Sequence, residues 1–218
     1  MITLTEENYL KAIFHLTEKN ETVYVNELSK FLNIKMPSVN SMMKKFAEKN
    51  WVIYESYKPL KITQEGRKQA ALIVRKHRLT EMFLVKQMGF GWEQVHEIAE
   101  QIEHIKSEMF FDKIDELLDY PKTDPHGSPI PDKNGNIIQL NWHKLSECKA
   151  GQTVVLKALS ESSAEFLNFL NQKKLPLNTA ITIRNIEAFD KSMEVEYNQQ
   201  TTTFSAVVCE KLLVEKQA

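Results

Sequence analysis

The sequence predicts a multidomain α+β protein in which a winged helix-turn-helix precedes two long helices and a small β-barrel. Apolar residues recur at helical spacing through most of residues 1–121, with one hairpin-like stretch between them, whereas short alternating segments typical of strands dominate from residue 151. A stretch with several prolines and glycines separates these two regions. We therefore expect domains at residues 1–63, 64–121 and 151–218, with a linker at 122–150.

The first 63 residues have the element order of a winged helix-turn-helix. Apolar positions predict a first helix over residues 6–18. A second, short helix is expected to begin at Asn26, whose side chain suits a cap, and a third at Pro37, because the first turn of a helix tolerates the missing N–H. Two β-rich stretches, 51–56 and 60–63, then flank a turn and predict a hairpin. The third helix would be the recognition helix and the hairpin the wing.

The next two helices are predicted to be long. One extends over residues 64–88 and the other over 93–120, and Gly89 and Gly91 mark the break between them. The second helix is amphipathic, since apolar residues recur along it at helical intervals, so such a pair can form a dimer interface. Beyond the linker, strand-like segments occur at 154–156, 180–186, 193–197 and 202–204, with a helix at 164–172.

The composition is that of an ordinary globular protein without a membrane span. Of the 218 residues, 42% are hydrophobic, and nowhere do 18 apolar residues follow one another. The first residues lack a long apolar stretch, which argues against a secretion signal. Cys148 and Cys209 are far apart, so neither a disulfide framework nor a thiolate zinc site is expected. We expect a cytoplasmic protein that does not contact a membrane.

The formal net charge of −1 conceals an uneven distribution of charge along the chain. Residues 1–75 contain 12 Lys and Arg against 8 Asp and Glu, whereas residues 76–121 contain 5 against 10, and residues 122–218 contain 11 of each. A basic segment followed by an acidic one is typical of a polyanion-binding unit joined to a cation-binding unit.

The predicted recognition helix and wing carry side chains suited to DNA. Short polar side chains near a helix start can meet base edges in the major groove, and lysines neutralise phosphates. The candidate DNA contacts are Lys35, Pro37, Ser38, Asn40, Ser41, Lys44 and Lys45 in the helix region, with Tyr57 and Lys58 at the wing tip. This set predicts binding to double-stranded DNA.

The two long helices carry histidines and glutamates at intervals of four residues. Residues four apart share a helix face, so these imidazoles and carboxylates can converge on a divalent ion. The absence of sulfur among them favours manganese or ferrous iron over metals that prefer thiolates. The candidate ligands are His77, Glu81, His96, Glu100, Glu103 and His104.

Together these motifs resemble those of the diphtheria toxin repressor family, and of its manganese transport regulator branch in particular. The resemblance spans the whole chain. The segments that carry it are residues 7–10 (ENYL), 75–79 (RKHRL) with Glu81, 95–96 (VH), 100–104 (EQIEH) and 124–131 (DPHGSPIP). It implies a winged helix, a helical dimerisation domain and a carboxy-terminal SH3-like domain. It also implies a homodimeric, metal-activated repressor of metal-uptake genes that binds a palindromic operator.

The resemblance further implies which residues hold metal. The primary site would comprise Asn8, Glu100, Glu103 and His104. An ancillary site would comprise His77, Glu81 and His96. Longer members of the family add ligands from the SH3-like domain, and the comparable segment here contains Glu161 and Glu165.

Three positions bear on the choice and number of ions. Glu100 stands where iron-type members of the family carry Cys, which favours Mn²⁺ over Fe²⁺ as the cofactor. Asn8 stands where manganese regulators usually have Asp, so it offers an amide oxygen without a charge. Lys11 stands where two-domain members have Glu, and we therefore do not expect a binuclear site that involves position 11.

Two alternatives stay open at the level of sequence. A di-iron carboxylate enzyme would need two Glu-x-x-His units on a four-helix bundle, but only residues 93–96 have that form, so we expect no enzyme. The other alternative keeps the DNA-binding module and makes the SH3-like domain a docking surface for a protein partner, whose identity the sequence does not indicate.

Overall fold

The structure is a computed structural model that describes residues 2–216. These residues form two compact units. The first comprises the residues up to Thr80, Ala99–Lys122 and Ile130–Ile138. The second comprises Glu81–Ile98, Thr123–Pro129 and the residues from Gln139 onward. The domain boundaries expected from the sequence are a different division of the chain and stay predictions.

The amino-terminal part of the first unit has the predicted order of helices and hairpin. Its elements are α1 (Leu4–Lys19), α2 (Val25–Leu32), α3 (Met36–Glu48), β1 (Val52–Ile53) and β2 (Lys61–Ile62). β1 and β2 pair antiparallel, and Pro37 lies in the first turn of α3 as predicted. α1 begins earlier than predicted because Thr3 and Glu6 form a capping box, in which each side chain accepts a hydrogen bond from the backbone N–H of the other.

A shared apolar core fixes α3 against α1. Phe14 and Phe46 are fully buried, and the Phe46 ring meets Tyr9 and Trp51 edge to face at centroid distances of 6.3 and 5.2 Å. Burial of each such side chain contributes about 2–3 kcal/mol. Because Val39, like Phe46, faces this core, the other side of α3 is left on the surface.

The long helix α4 (Gln64–Met88) has the predicted bounds. Thr63 caps its start, since the Thr63 hydroxyl accepts a hydrogen bond from the Gly66 N–H at 3.0 Å. A Cβ at Gly66 would lie 2.0 Å from the Trp51 carbonyl oxygen, so only glycine allows this close approach to the wing. The helix ends at Gly89, whose φ of +75° belongs to the left-handed region.

The single helix predicted over residues 93–120 is wrong. The chain instead forms α5 (His96–Ile102) and α6 (Glu108–Leu117). Ser107 has an extended backbone, and its hydroxyl accepts a hydrogen bond from the Phe110 N–H at 3.2 Å, which begins a new helix. Glu103 and His104 therefore lie in the turn that follows α5, not on a helix face.

The second unit contains the elements β3 (His143–Lys144), β4 (Thr153–Leu159), α7 (Ala164–Gln172), β5 (Ala180–Ile186), β6 (Met193–Tyr197), β7 (Gln200–Phe204), α8 (Ala206–Lys211) and β8 (Leu212–Lys216). The strands form a six-stranded antiparallel sheet with the order β3-β8-β4-β5-β6-β7. Four strands and α7 were predicted, although β4 and β7 are longer than expected. The segment expected to be linker contributes β3, which pairs with β8 through His143 and Val214.

The second unit has its own apolar core, to which the inward residues of the sheet and of α7 and α8 contribute. Cys148 and Cys209 belong to this core as free, buried thiols. Within residues 2–216, no helix combines the length and the apolar character that crossing a bilayer requires.

Candidate functional site

In the first unit, imidazole, carboxylate and amide groups from three parts of the chain lie close together. We call this group of residues the primary cluster. Ligand atoms of His77, Glu100 and Glu103 lie within 4.8 Å of one another. Glu103 has no exposed surface, and its Oε2 accepts a hydrogen bond from His77 Nδ1 at 2.6 Å. The members are Glu7, Asn8 and Lys11 of α1, His77 of α4, Glu100 of α5, and Glu103 and His104 just beyond α5.

A carboxylate of α1 orients His104. His104 Nδ1 donates to Glu7 Oε2 at 2.6 Å; Glu7 is buried, and His104 is partly buried. The proton on Nδ1 leaves Nε2 as the imidazole atom with a lone pair, and this atom lies 3.8 Å from Glu103 Oε1. A carboxylate that holds a histidine in this way is a common outer partner of metal-binding imidazoles.

The environment of Glu103 keeps its carboxylate ionised. Burial alone would raise its pKa, but the hydrogen bond from His77 and the positive charges of Lys11 and His77 lower the pKa below its ordinary value. An ionised and buried carboxylate is a strong ligand for a divalent cation.

Asn8 supplies a separate indication of a cation site. Its Oδ1 is a buried oxygen that accepts no hydrogen bond within the described part of the chain. An unsatisfied buried acceptor is costly, and a bound ion or water is the usual reason that one persists. Asn8 and Lys11 lie three residues apart in α1 and so share its face toward Glu100 and Glu103. The residues of the primary cluster therefore fit a hard divalent cation.

Lys11 is the member that spacing arguments did not anticipate. Its ammonium group donates to Glu103 Oε1 at 2.7 Å and to Glu103 Oε2 at 2.9 Å, and also to Glu100 Oε1. Glu100 and Glu103 thus lie close together around the Lys11 ammonium group, and His104 Nε2 lies 3.8 Å from Glu103 Oε1. The role of these residues as primary metal ligands stays a prediction.

The second unit holds another group of potential ligands, which we call the secondary cluster: Glu81, Asp124 and His126. All three are buried, with ligand atoms within 4.8 Å of one another. Glu81 Oε2 lies 3.6 Å from His126 Nδ1, and Glu81 Oε1 lies 3.4 Å from Nδ1 of the more exposed His96. Only Glu81 and His96 were predicted as ligands.

His126 is oriented for an interaction with a cation at Nδ1. Its Nε2 donates to the Trp92 carbonyl oxygen at 2.9 Å, and the Trp92 and His126 rings stack. Burial would lower the pKa of His126, but hydrogen bonding and charge from Glu81, with the charge of Asp124, raise the pKa above its ordinary value. The surroundings of Nδ1 thus favour positive charge, whether from a proton or a metal ion.

The remaining predicted ligands are placed as follows. Glu161 accepts a hydrogen bond from the Ser163 hydroxyl and pairs with Lys211 at 2.6 Å, while Glu165 is exposed on α7. The grouping of His77 with Glu81 and His96 in one ancillary site, and the additional ligand from Glu161 or Glu165, stay predictions.

The candidate DNA contacts lie on α3 and the wing of the first unit. Most of these side chains are exposed, and Tyr57 at the wing tip is completely so. Some of them also make contacts within the unit. Asn40 Oδ1 accepts a hydrogen bond from the Tyr54 hydroxyl at 2.8 Å, and Lys45 pairs with the buried Glu6 of α1 at 3.0 Å. Lys44 is exposed on the same helix.

A winged helix combined with clusters of imidazole and carboxylate ligands defines a metal-responsive DNA-binding regulator. Comparison with known families gives the same result. Residues 1–60 match the model "Iron dependent repressor, N-terminal DNA binding domain", and residues 63–132 match "Iron dependent repressor, metal binding and dimerisation domain". The chain belongs to the family of iron-dependent repressors, which are metal-dependent, DNA-binding transcriptional regulators that dimerise. The predicted membership of the diphtheria toxin repressor family is confirmed.

Individual relatives include regulators of iron and of manganese. The iron-dependent repressor IdeR of Mycobacterium tuberculosis (strain H37Rv) is 31% identical over 170 residues, which are 72% of each chain. The regulator MntR of Bacillus subtilis is 32% identical over 124 residues, covering 57% of this chain and 87% of MntR. A solved "Manganese-dependent transcriptional repressor complex with manganese" is 26% identical with a TM-score of 0.87, covering 97% of this chain and 99% of the other. These matches confirm the predicted fold class and support metal-dependent regulation over both alternatives.

Sequence reasoning missed Glu7, Asp124 and His126 as candidate functional residues. Glu7 directly precedes Asn8, and Asp124 and His126 belong to the DPHGSPIP segment. An acidic residue and a histidine two positions apart in an otherwise apolar and turn-rich segment are a signal that could have indicated ligands.

Proposed function

We propose that this chain is a cytoplasmic homodimeric repressor whose affinity for a palindromic DNA operator rises when a divalent cation, Mn²⁺ or alternatively Fe²⁺, binds the primary cluster. Asn8, Glu100, Glu103 and His104 are the proposed ligands, and Glu7 orients His104. The bound cation would supply positive charge shared between α1 and the chain beyond α5. Metal-uptake genes are the proposed targets.

The contact between His104 and Glu7 carries the proposal. It ties α1, whose core residues hold the recognition helix α3, to the turn after α5. The ligands of one ion would come from both places, so ion binding favours one arrangement of the DNA-reading helices over others. Such a differential affinity is what an effector needs in order to shift an equilibrium.

The donor set supports Mn²⁺ over softer metals. Carboxylate and amide oxygens with one imidazole suit manganese and ferrous iron, and neither cysteine belongs to the primary cluster. We also propose that Glu81, Asp124 and His126 form a second cation site in the other unit, since their buried carboxylates surround an imidazole nitrogen.

A DNA-binding titration tests the main proposal. An operator would first be selected from random duplex DNA with the Mn²⁺-loaded protein, and its affinity then measured by fluorescence anisotropy with Mn²⁺, Fe²⁺, Zn²⁺ or a chelator. We expect Mn²⁺ to tighten binding by roughly 5- to 150-fold, the usual range of a coupling between two sites. An affinity that chelation does not change would refute the role of metal as corepressor.

His104→Ala is the matching variant. It should abolish the gain in DNA affinity from Mn²⁺ while the protein remains a dimer in analytical ultracentrifugation. His143→Ala, which removes an exposed histidine of the second unit, serves as the control and should respond as the wild type does. A full metal response in His104→Ala would count against the proposed ligand set.

A further inference from the structure

The primary cluster contains a positive charge of its own. Lys11 is only 8% exposed, and its ammonium group contacts both oxygens of the fully buried Glu103 and one oxygen of Glu100. These are two of the carboxylates that we propose as metal ligands. The chain thus places a monovalent cation against the oxygens that a divalent cation would use.

The burial of these groups makes the lysine energetically important. Two neighbouring carboxylates repel each other, and a buried charge without a partner is strongly destabilising. In the ion-free protein, Lys11 offsets the charge of Glu103 and part of the charge of Glu100. The same ammonium group would repel an arriving divalent ion because both are positively charged. It would also compete with the ion for the carboxylate lone pairs, because the lysine is part of the chain and cannot diffuse away as a water molecule can.

We propose that Lys11 is an internal counter-cation that stabilises the ion-free protein and lowers the affinity of the primary cluster for divalent metal. This inference rests on the proposed function only in that the cluster binds metal. A plain structural tether between α1 and α5 would predict something different, because loss of a tether would weaken the ion-free and metal-bound proteins equally.

The test replaces the charge with an apolar side chain of similar length. Lys11→Met and Lys11→Arg would be made in a His126→Ala background. This substitution removes a proposed ligand of the secondary cluster, so that the measured Mn²⁺ binding is that of the primary cluster. Mn²⁺ affinity would be measured by isothermal titration calorimetry and thermal unfolding would be followed with and without Mn²⁺. For Lys11→Met we expect about tenfold tighter Mn²⁺ binding, together with a midpoint of ion-free unfolding lower by about 5 °C. Lys11→Arg keeps the charge and should therefore show a smaller gain in Mn²⁺ affinity than Lys11→Met.

An unchanged or weaker Mn²⁺ affinity in Lys11→Met, or equal destabilisation with and without Mn²⁺, would overturn the inference. If Lys11→Met does not fold without metal, Lys11→Gln provides the same comparison, since its amide can still donate to one carboxylate but carries no charge. The inference and the proposed function fail separately. DNA binding that ignores Mn²⁺ refutes the function alone, whereas DNA binding that responds to Mn²⁺, with no gain of affinity in Lys11→Met, refutes the inference alone.

Discussion

At the scale of single residues, the hydrogen-bond partner of a metal-binding histidine contributes to metal affinity. Glu7 accepts the Nδ1 proton of His104 at 2.6 Å and leaves Nε2 available to a metal ion. A negatively charged partner at Nδ1 raises the electron density of the imidazole ring, so the lone pair of Nε2 binds a metal ion more strongly. The carboxylate of Glu7 therefore contributes to metal affinity without being a proposed ligand.

Glu7→Gln tests this contribution, because the amide oxygen can keep the hydrogen bond while the charge is lost. We expect Mn²⁺ affinity of the primary cluster to fall by roughly 10- to 100-fold in calorimetry. Glu18→Gln is the matched control, since Glu18 is also in α1 and lies beside a histidine, His15, at 3.4 Å. Equal effects of the two substitutions would show that the charge of Glu7 has no particular role.

Glu6 illustrates a carboxylate with a structural role in the same helix. It is 1% exposed and accepts hydrogen bonds from Lys49 at 2.5 Å and from the Thr3 N–H at 2.9 Å, and Lys45 lies 3.0 Å away. Burial raises its pKa, but the lysines and the Thr3 N–H outweigh burial and lower the pKa from 4.5 to about 2.

The lowered pKa predicts an acid-dependent stability. A carboxyl group that binds protons less readily when folded stabilises the protein above its unfolded pKa, and the stabilisation is lost as pH falls toward the folded pKa of about 2. Glu6→Gln should therefore lower the free energy of unfolding at pH 7 by about 1–3 kcal/mol, and the difference should shrink between pH 4.5 and 2. Urea unfolding at several pH values measures it, with the exposed Glu48→Gln as control. A difference that is constant with pH would contradict the assignment.

At the scale of elements, local signals predicted α4 well and the following helices poorly. Gly89, which the sequence marks as a break, ends α4 with a left-handed backbone, and Thr63 caps the start of the helix in the structure. The apolar periodicity continues across residues 103–107, so it concealed the break between α5 and α6. The hydroxyl of Ser107 is the local signal for the new helix, but serine is also common on helix surfaces, and only the tertiary context distinguishes the two.

The recognition helix α3 provides an element-level prediction from two adjacent lysines. Lys44 is exposed, whereas Lys45 pairs with Glu6. A lysine that neutralises a phosphate releases a counterion, so Lys44→Ala should weaken operator and unrelated DNA alike and reduce the slope of log affinity against log salt by about one. Lys45→Ala should change the slope less, because the ammonium group is already engaged. Lys86→Ala is the control, because Lys86 is exposed in α4 and not in the recognition helix, and the salt slope should not change in this variant. If the salt slope of Lys44→Ala equals that of the wild type, Lys44 does not contact a phosphate.

At the scale of the whole molecule, sequence predicted the classes of residue at the sites but not how they combine. The spacing of His and Glu predicted Glu100, Glu103 and His104 as ligands on one helix face. Glu103 and His104 instead lie in the turn after α5, and their role as ligands stays a prediction. The contacts of Lys11 with Glu103 and of Glu7 with His104 join positions about 90 or more residues apart. No periodicity encodes such contacts, since they arise when α1 packs beside the end of α5.

The two clusters should each bind one ion without the other. The primary cluster belongs to the first compact unit and the secondary cluster to the second, and they have no residue in common. Because no proposed ligand is common to both sites, we expect each site to retain its ion when a ligand of the other is removed. After desalting, we expect mass spectrometry of metals to count two Mn²⁺ per wild-type chain and one per chain in either His104→Ala or His126→Ala. His143→Ala should retain two. His126→Ala should lose one ion because His126 Nδ1 is the imidazole ligand that lies with Glu81 and Asp124 in the secondary cluster. Two ions in this variant would show that the secondary cluster does not bind metal. No ion would show that each cluster needs the other in order to bind metal.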